Sequence, residues 1–236
     1  MMTAILFALA ILYANTIQQI TGFAGMVLAM PPAIFLLGPD NAKTILTTIG
    51  SISCMWIAIC NFKYLDKKEF FKIVIFMGIG MLIGIEIYDF LPTFIMLKVY
   101  GGVICLIALK YLFFKSKRQL NEIFLYIILL LSGVIHGVFV SGGALVVIYA
   151  LQVFKDKDTF RATLAAVWVV LNSLLAVNQY QAGLFTQENL HYVAIALIPV
   201  VLAVIFGEYL HRKINAGLFL KITYVLLFVS GFSLLW

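Results

Sequence analysis

Long apolar runs, bounded by short loops that carry most of the charge, repeat from one end of the chain to the other. A helix needs about 20 predominantly apolar residues to cross a bilayer. By that measure residues 41–61, 69–89, 94–114, 158–182, 188–210 and 215–235 read as six full spans. Two further regions, 3–38 and 122–154, are too long for one span and are broken near the middle by small or polar residues. The breaks are Gln18, Gln19, Thr21, Gly22 and Gly25 in the first, and His136, Ser141, Gly142 and Gly143 in the second. Each region reads as a hairpin of two helices that either crosses fully or re-enters from one face. A β-barrel would show two-residue alternation over ~10-residue strands, and the chain shows none.

The loops predict a topology. FKYLDKK (62–68), KSKR (115–118), KDKDTFR (155–161) and HRK (211–213) are basic. GPDN (38–41), YDFLPT (88–93) and QAGLFTQEN (181–189) are neutral or mildly acidic. An even number of crossings separates each basic loop from the next, so all four can share the cytoplasmic face that positive charge favours. The expectation is a multi-pass protein of the cell (inner) membrane with both termini on the outer side.

Composition agrees with the pattern. Of 236 residues, 64% are hydrophobic and 11% charged, against roughly half and a quarter in soluble domains. The mean hydropathy is +1.10. The net charge of +6 sits in the loops and suggests no nucleic-acid partner. The opening MMTAILFALAILYANT lacks a basic leader and a small-residue cleavage site, so it is read as mature structure. Cys54, Cys60 and Cys105 lie inside apolar runs without metal-ligand spacing and are assigned to packing, with no metal or cofactor expected. There is no P-loop, so ATP is not expected to drive this chain.

The two halves, 1–118 and 119–236, resemble each other. IGIEIYDFLPTFIMLKVYGG (83–102) parallels IFGEYLHRKINAGLFLKITY (205–224), with Gly84 and Gly207 separated by 207 − 84 = 123 positions, as are Lys98 and Lys221. TGFAG (21–25) parallels HGVFVSGG (136–143). Each half is a hairpin followed by three spans, and an odd number of spans inverts the second copy. The expected fold is an all-α polytopic membrane protein of two inverted-topology repeats in one integral membrane domain.

Backbone broken inside a bilayer must be covered by protein or line a wet cavity. A helix that begins at such a break offers free N–H groups and about half a positive charge, which together favour an anion. Thr21, Gly22, Gly25, His136, Ser141, Gly142 and Gly143 are therefore candidate substrate-binding residues. Arg161, which opens a helix after the second hairpin, can fork two hydrogen bonds onto an oxyanion and joins them. Asn15, Gln18, Gln19, Lys43 and Asn172 are candidates to line the cavity, with Lys43 at the outer mouth and Arg161 at the inner one. His136 is the titratable group at the site, and a pH dependence of transport is assigned to it.

Competing readings bear on the same residues. Glycines at the breaks could serve only close helix crossing, as Gly133 and Gly137 would. Lys43 and Arg161 could snorkel to headgroups. Glu86, Glu208, Lys98 and Lys221 read as structural ion pairs or anchors, Trp56 and Trp168 as packing residues or cavity walls, and His191 and His211 as loop-edge residues. An anion channel is the alternative to a carrier. A less favoured one is an intramembrane enzyme using Ser141 and His136, which share one break instead of facing each other from neighbouring helices.

TGFAGMVLAMPPAIFLLG (21–38), SGVIHGVFVSGGALVVIYAL (132–151), FRATLAAVWVVLNSLLAVNQYQAGLFT (160–186) and LLFVSGFSLLW (226–236) together resemble the TauE/SafE sulfite exporter family, also called the toluene sulfonate uptake permease family. The first break departs from the more glycine-rich form common in that family. The resemblance covers nearly the whole chain and implies a non-enzymatic permease for a small sulfur-containing anion such as sulfite, a sulfonate or thiosulfate. Its partners are then that anion and the lipid bilayer, with a homodimer as the assembly to test.

Overall fold

A computed structural model describes residues 2–90, 92–113, 120–213 and, beyond these, 221, 224, 225, 228, 229, 231, 232 and 235. Among them there are helices and no strand. The helices are α1 (Met2–Thr21), α2 (Gly25–Leu37), α3 (Pro39–Cys60), α4 (Lys67–Phe90), α5 (Thr93–Phe113), α6 (Glu122–Phe139), α7 (Gly143–Val153), α8 (Lys157–Gln181) and α9 (Gln187–Lys213). The basic loop 115–118 and most of the expected last span, 215–235, lie outside the described residues.

Local chemistry sets the boundaries. Gly38, at φ 79°, closes α2, and Pro39 at once opens α3, where a proline suits the first turn. The Asn121 side chain accepts from the Ile123 amide, and that of Asp156 from the Thr159 amide, capping α6 and α8. These amide bonds hold the Asp156 carboxyl below its ordinary range.

Six of the described helices, α1, α3, α4, α6, α8 and α9, are long and apolar enough to cross a membrane. The two hairpins are lopsided. Their first limbs, α1 and α6, have 20 and 18 residues, whereas α2 and α7 have 13 and 11. At ~1.5 Å per residue the short limbs reach about 20 and 17 Å, well short of a hydrocarbon core ~30 Å thick.

The packing is cross-wise. α1 of the first half runs against α9 of the second, α6 of the second against α4 of the first, and α3 against α8 at the centre. Glycines permit the α4–α6 contact: a Cβ added at Gly80 would sit 2.1 Å from the Leu130 carbonyl, and one at Gly133 would sit 2.1 Å from that of Met77. The close-crossing role considered for Gly133 and Gly137 is therefore what these two glycines do. Trp56 neither packs nor walls a cavity, because 52% of it is exposed on the outer surface of α3.

Candidate functional site

Each break is built from a residue in the left-handed region followed by a short limb. In the first, Gly22 (φ 79°) ends α1 and its amide donates to the Gln18 carbonyl at 2.7 Å. The Thr21 hydroxyl donates to the Ile17 carbonyl at 2.7 Å and accepts from the amides of Phe23 and Ala24. The Gly25 amide, which opens α2, donates to Gln18 Oε1 at 2.8 Å. In the second, Val140 (φ 56°) ends α6 and its amide donates to the His136 carbonyl at 2.8 Å. A β-branched residue held there stores strain of roughly 1–3 kcal/mol. Ser141 Oγ donates to the Phe139 carbonyl at 2.8 Å, and Ser132 Oγ to the Gly142 carbonyl at 2.6 Å.

The breaks meet. Gly143, the first residue of α7, lies so close to the first break that a Cβ there would sit 2.3 Å from the Phe23 carbonyl. Between them is a small cavity lined by Gln18, Phe23, Met26, Cys54, His136, Val140, Gly143, Trp168 and Asn172. Its free volume is about 10 Å³, enough for about one water molecule. The space is therefore too small for a solute larger than water.

The lining carries unmet hydrogen-bonding capacity. His136 is 1% exposed, and neither ring nitrogen has a hydrogen-bond partner. Asn172 Oδ1 is buried without one as well. Buried polar atoms are rarely left so, because each costs about 1–3 kcal/mol. Trp168 ties the two breaks together: its indole N–H donates to the Gly22 carbonyl at 2.9 Å, and its ring lies 5.2 Å from that of His136. Gln18 Nε2 reaches Cys54 Sγ at 3.2 Å.

Of the residues singled out in the sequence, the structure gathers Gln18, His136, Gly143 and Asn172 at the cavity. The others stand back from it. The hydroxyls of Thr21 and Ser141 are spent on local backbone, as described above, and do not point donors at the cavity in this state. Gly22, Gly25 and Gly142 shape the breaks; a Cβ at Gly142 would sit 2.5 Å from the Ser132 carbonyl. Asn15 Nδ2 donates to the Ile11 carbonyl, and Gln19 Nε2 to Ser53 Oγ. Lys43 is buried with its ammonium 3.8 Å from the centre of the Tyr88 ring. Arg161 is 2% exposed and ion-paired with Glu208 at 2.7 Å, while its backbone packs against Gly22. His211 is more than a loop-edge residue: its ring bridges the Ile20 carbonyl and Asp158, fastening α9 to the end of α1 and the start of α8.

Sequence reasoning missed Phe23, Met26, Cys54 and Val140, which look like ordinary apolar filling, and left Trp168 undecided. One signal was present for Cys54: it stands 172 − 54 = 118 positions before Asn172, the same interval that separates Gly25 from Gly143.

No curated protein and no solved structure matches the chain. A family model described as sulfite exporter TauE/SafE matches residues 6–234. With multiple apolar helices long enough to span a membrane and a match over nearly its full length, this multi-pass membrane protein belongs to the TauE/SafE sulfite exporter family of transporters.

Proposed function

We propose that the chain is a secondary carrier that moves a small sulfur-containing anion, such as sulfite, a sulfonate or thiosulfate, through the cavity between its two broken hairpins. The observation that carries this reading is His136: a buried imidazole stacked near Trp168, with neither ring nitrogen in a hydrogen bond of ordinary geometry, in a small cavity walled by both breaks. The opening of α7 at Gly143 adds the positive end of a helix dipole. A space of about 10 Å³ lined by buried residues of both breaks fits a carrier between its open states better than a channel.

The proposal includes an inverted repeat, and a single shift of 118 supports it. That shift relates Gly22 to Val140, Gln18 to His136, Lys43 to Arg161, and Cys54 to Asn172. The contacts reciprocate. A Cβ at Gly84 would sit 2.2 Å from the carbonyl of Val134, and one at Gly207 would sit 3.0 Å from that of Thr16. The partners Thr16 and Val134 are again 134 − 16 = 118 apart, while Gly84 and Gly207 keep their own interval of 123. Two copies facing opposite ways also account for the most extensive helix pairs, α4–α6, α1–α9 and α3–α8, each joining one half to the other. In this reading the basic loops face the cytoplasm across the inner membrane, and both termini lie outside.

Thermal unfolding of the purified protein with sulfite, methanesulfonate or thiosulfate tests the site. A ligand at 100 times its Kd stabilises a native state by about 2.7 kcal/mol, so at least one of these should raise the melting temperature. The rise should shrink by at least half in His136→Gln. No rise with any of the three, in a protein that unfolds cooperatively, overturns the proposal.

A further inference from the structure

We propose that His211 and Asp158 together bind a proton that fastens the tip of the first hairpin, and that the carrier opens at that end when the proton leaves. This rests on the carrier reading above and adds to it a proton site away from the cavity. It is carried by the chemistry of one ring and its two partners.

His211 stands near the end of α9 and is 9% exposed. Its Nδ1 lies 2.9 Å from the Ile20 carbonyl, and its Nε2 lies 3.1 Å from Asp158 Oδ1. A carbonyl and a carboxylate only accept. A neutral imidazole has one N–H, so it can serve one of these partners and must turn a lone pair on the other. Both bonds form together only when the pair holds one proton more, as an imidazolium beside a carboxylate. Ile20 is the next-to-last residue of α1, where carbonyls lack partners inside the helix, so the ring also caps that end.

The surrounding charges do not replace that proton. On α8, Arg161 is paired with Glu208 of α9 at 2.7 Å, and Lys157 precedes Asp158. Arg212 and Lys213 follow the ring in the chain, and Lys213 donates to the Tyr209 hydroxyl. α1 has no charged side chain, and α3 carries its charges, Asp40 and Lys43, in its first two turns. Among the described residues, His211 is the basic group in contact with Asp158. The other copy builds the same fastening differently. His211 and Tyr88 are 211 − 88 = 123 positions apart, and Asp158 and Asp40 are 158 − 40 = 118 apart. There the Tyr88 hydroxyl donates to Asp40, which a phenol does without an added proton. Only the fastening in the second copy needs one.

Beside Ile20, Gly22 packs against the backbone of Arg161, so the hairpin tip leaves α8 and α9 only if the ring releases it. The Asp158 side chain is 33% exposed and passes the proton to water. The fastening is complete while the pair is protonated and loses a bond as pH rises through its titration.

Asparagine separates the proton from the contact. In Asp158→Asn the side-chain amide can donate to Nε2 of a neutral ring while Nδ1–H keeps Ile20, so both bonds survive without the extra proton. The melting temperature of the unmutated protein minus that of Asp158→Asn should fall between about pH 6 and about pH 8, which bracket the ordinary histidine range. In proteoliposomes with equal pH on both sides, saturable flux of methanesulfonate, whose charge stays fixed, should rise at least about threefold over that interval. Asp158→Asn should stay at the low rate, and His211→Gln should be fast at both. A temperature difference that ignores pH, a flat flux in the unmutated protein, or a rise undiminished in His211→Gln overturns the proton site and leaves the carrier in place. Absence of saturable flux for methanesulfonate, sulfite and thiosulfate overturns the carrier reading, and the temperature difference still decides the proton site. Where Asp158→Asn fails to fold, His211→Gln decides it.

Discussion

Trp168 shows how much one side chain can do at this site. Its indole N–H is the direct hydrogen bond from α8 to the first break, through the Gly22 carbonyl, and its ring faces His136 of the second hairpin. Trp168→Phe keeps the apolar wall and deletes the N–H, leaving a buried carbonyl short of a donor. A cost of about 1–3 kcal/mol is expected. It should appear as a lower melting temperature in detergent together with weaker anion binding; a variant unchanged in both would remove Trp168 from the coupling of the breaks. At this scale the polar half of the site was readable in advance. Gln18, His136 and Asn172 are conspicuous because amides and imidazoles are expensive among apolar residues and so ask for an explanation. Trp168, Phe23, Met26 and Val140 were not readable, since an apolar residue facing a cavity obeys the same rule as one facing lipid or a neighbouring helix. Trp56 and Trp168 sit in comparable runs, yet one is 52% exposed and the other 4%.

Helices α4 and α6 hold together through glycines, and α4 supplies its own control. At Gly80 a Cβ would sit 2.1 Å from the Leu130 carbonyl, which is backbone and cannot swing away. Two turns of helix would have to part, and Gly80→Ala should lose about 1–3 kcal/mol or more. At Gly78, two residues earlier, the nearest atom to a Cβ is Leu171 Cδ2 at 4.0 Å. Gly78→Ala should therefore gain roughly 0.5–1 kcal/mol by restricting the unfolded chain without crowding the fold. Melting temperatures should move in opposite directions. A loss at both positions would mean that α4 dislikes alanine for reasons other than packing. The helices themselves were legible, because a run long enough to cross a bilayer must end at charge, proline or glycine, and Gly38–Pro39 and Asp156 do so where the pattern indicated. Their pairing was not legible. Lipid tails are as apolar as leucine, so hydrophobicity does not mark the protein-facing side of a span, and only small residues such as Gly80 and Gly133 hint at it.

At the scale of the molecule, the cross-wise packing makes the two halves depend on each other. α1 rests on α9 and α6 on α4, so neither hairpin is held by its own half alone. Separating the breaks to admit a solute then requires one hairpin to move against helices of the other half, which is how a closed cavity could open to one face at a time. That motion has two distinct outcomes only if the copies face opposite ways. The loops after α3 and α8 are equivalent in the repeat, so inversion puts them on opposite faces, whereas copies related by a simple rotation about the membrane normal would share one. Lys63 and Ala182 are exposed in these loops. In a background with Cys60→Ser, the single exposed cysteine, Cys54 and Cys105 are the buried thiols that remain. Ala182→Cys in intact cells should react with a membrane-impermeant maleimide added outside. Lys63→Cys should react only after the membrane is opened. Labelling of both from one side would remove the inversion, and with it the reason for expecting the cavity to alternate between faces.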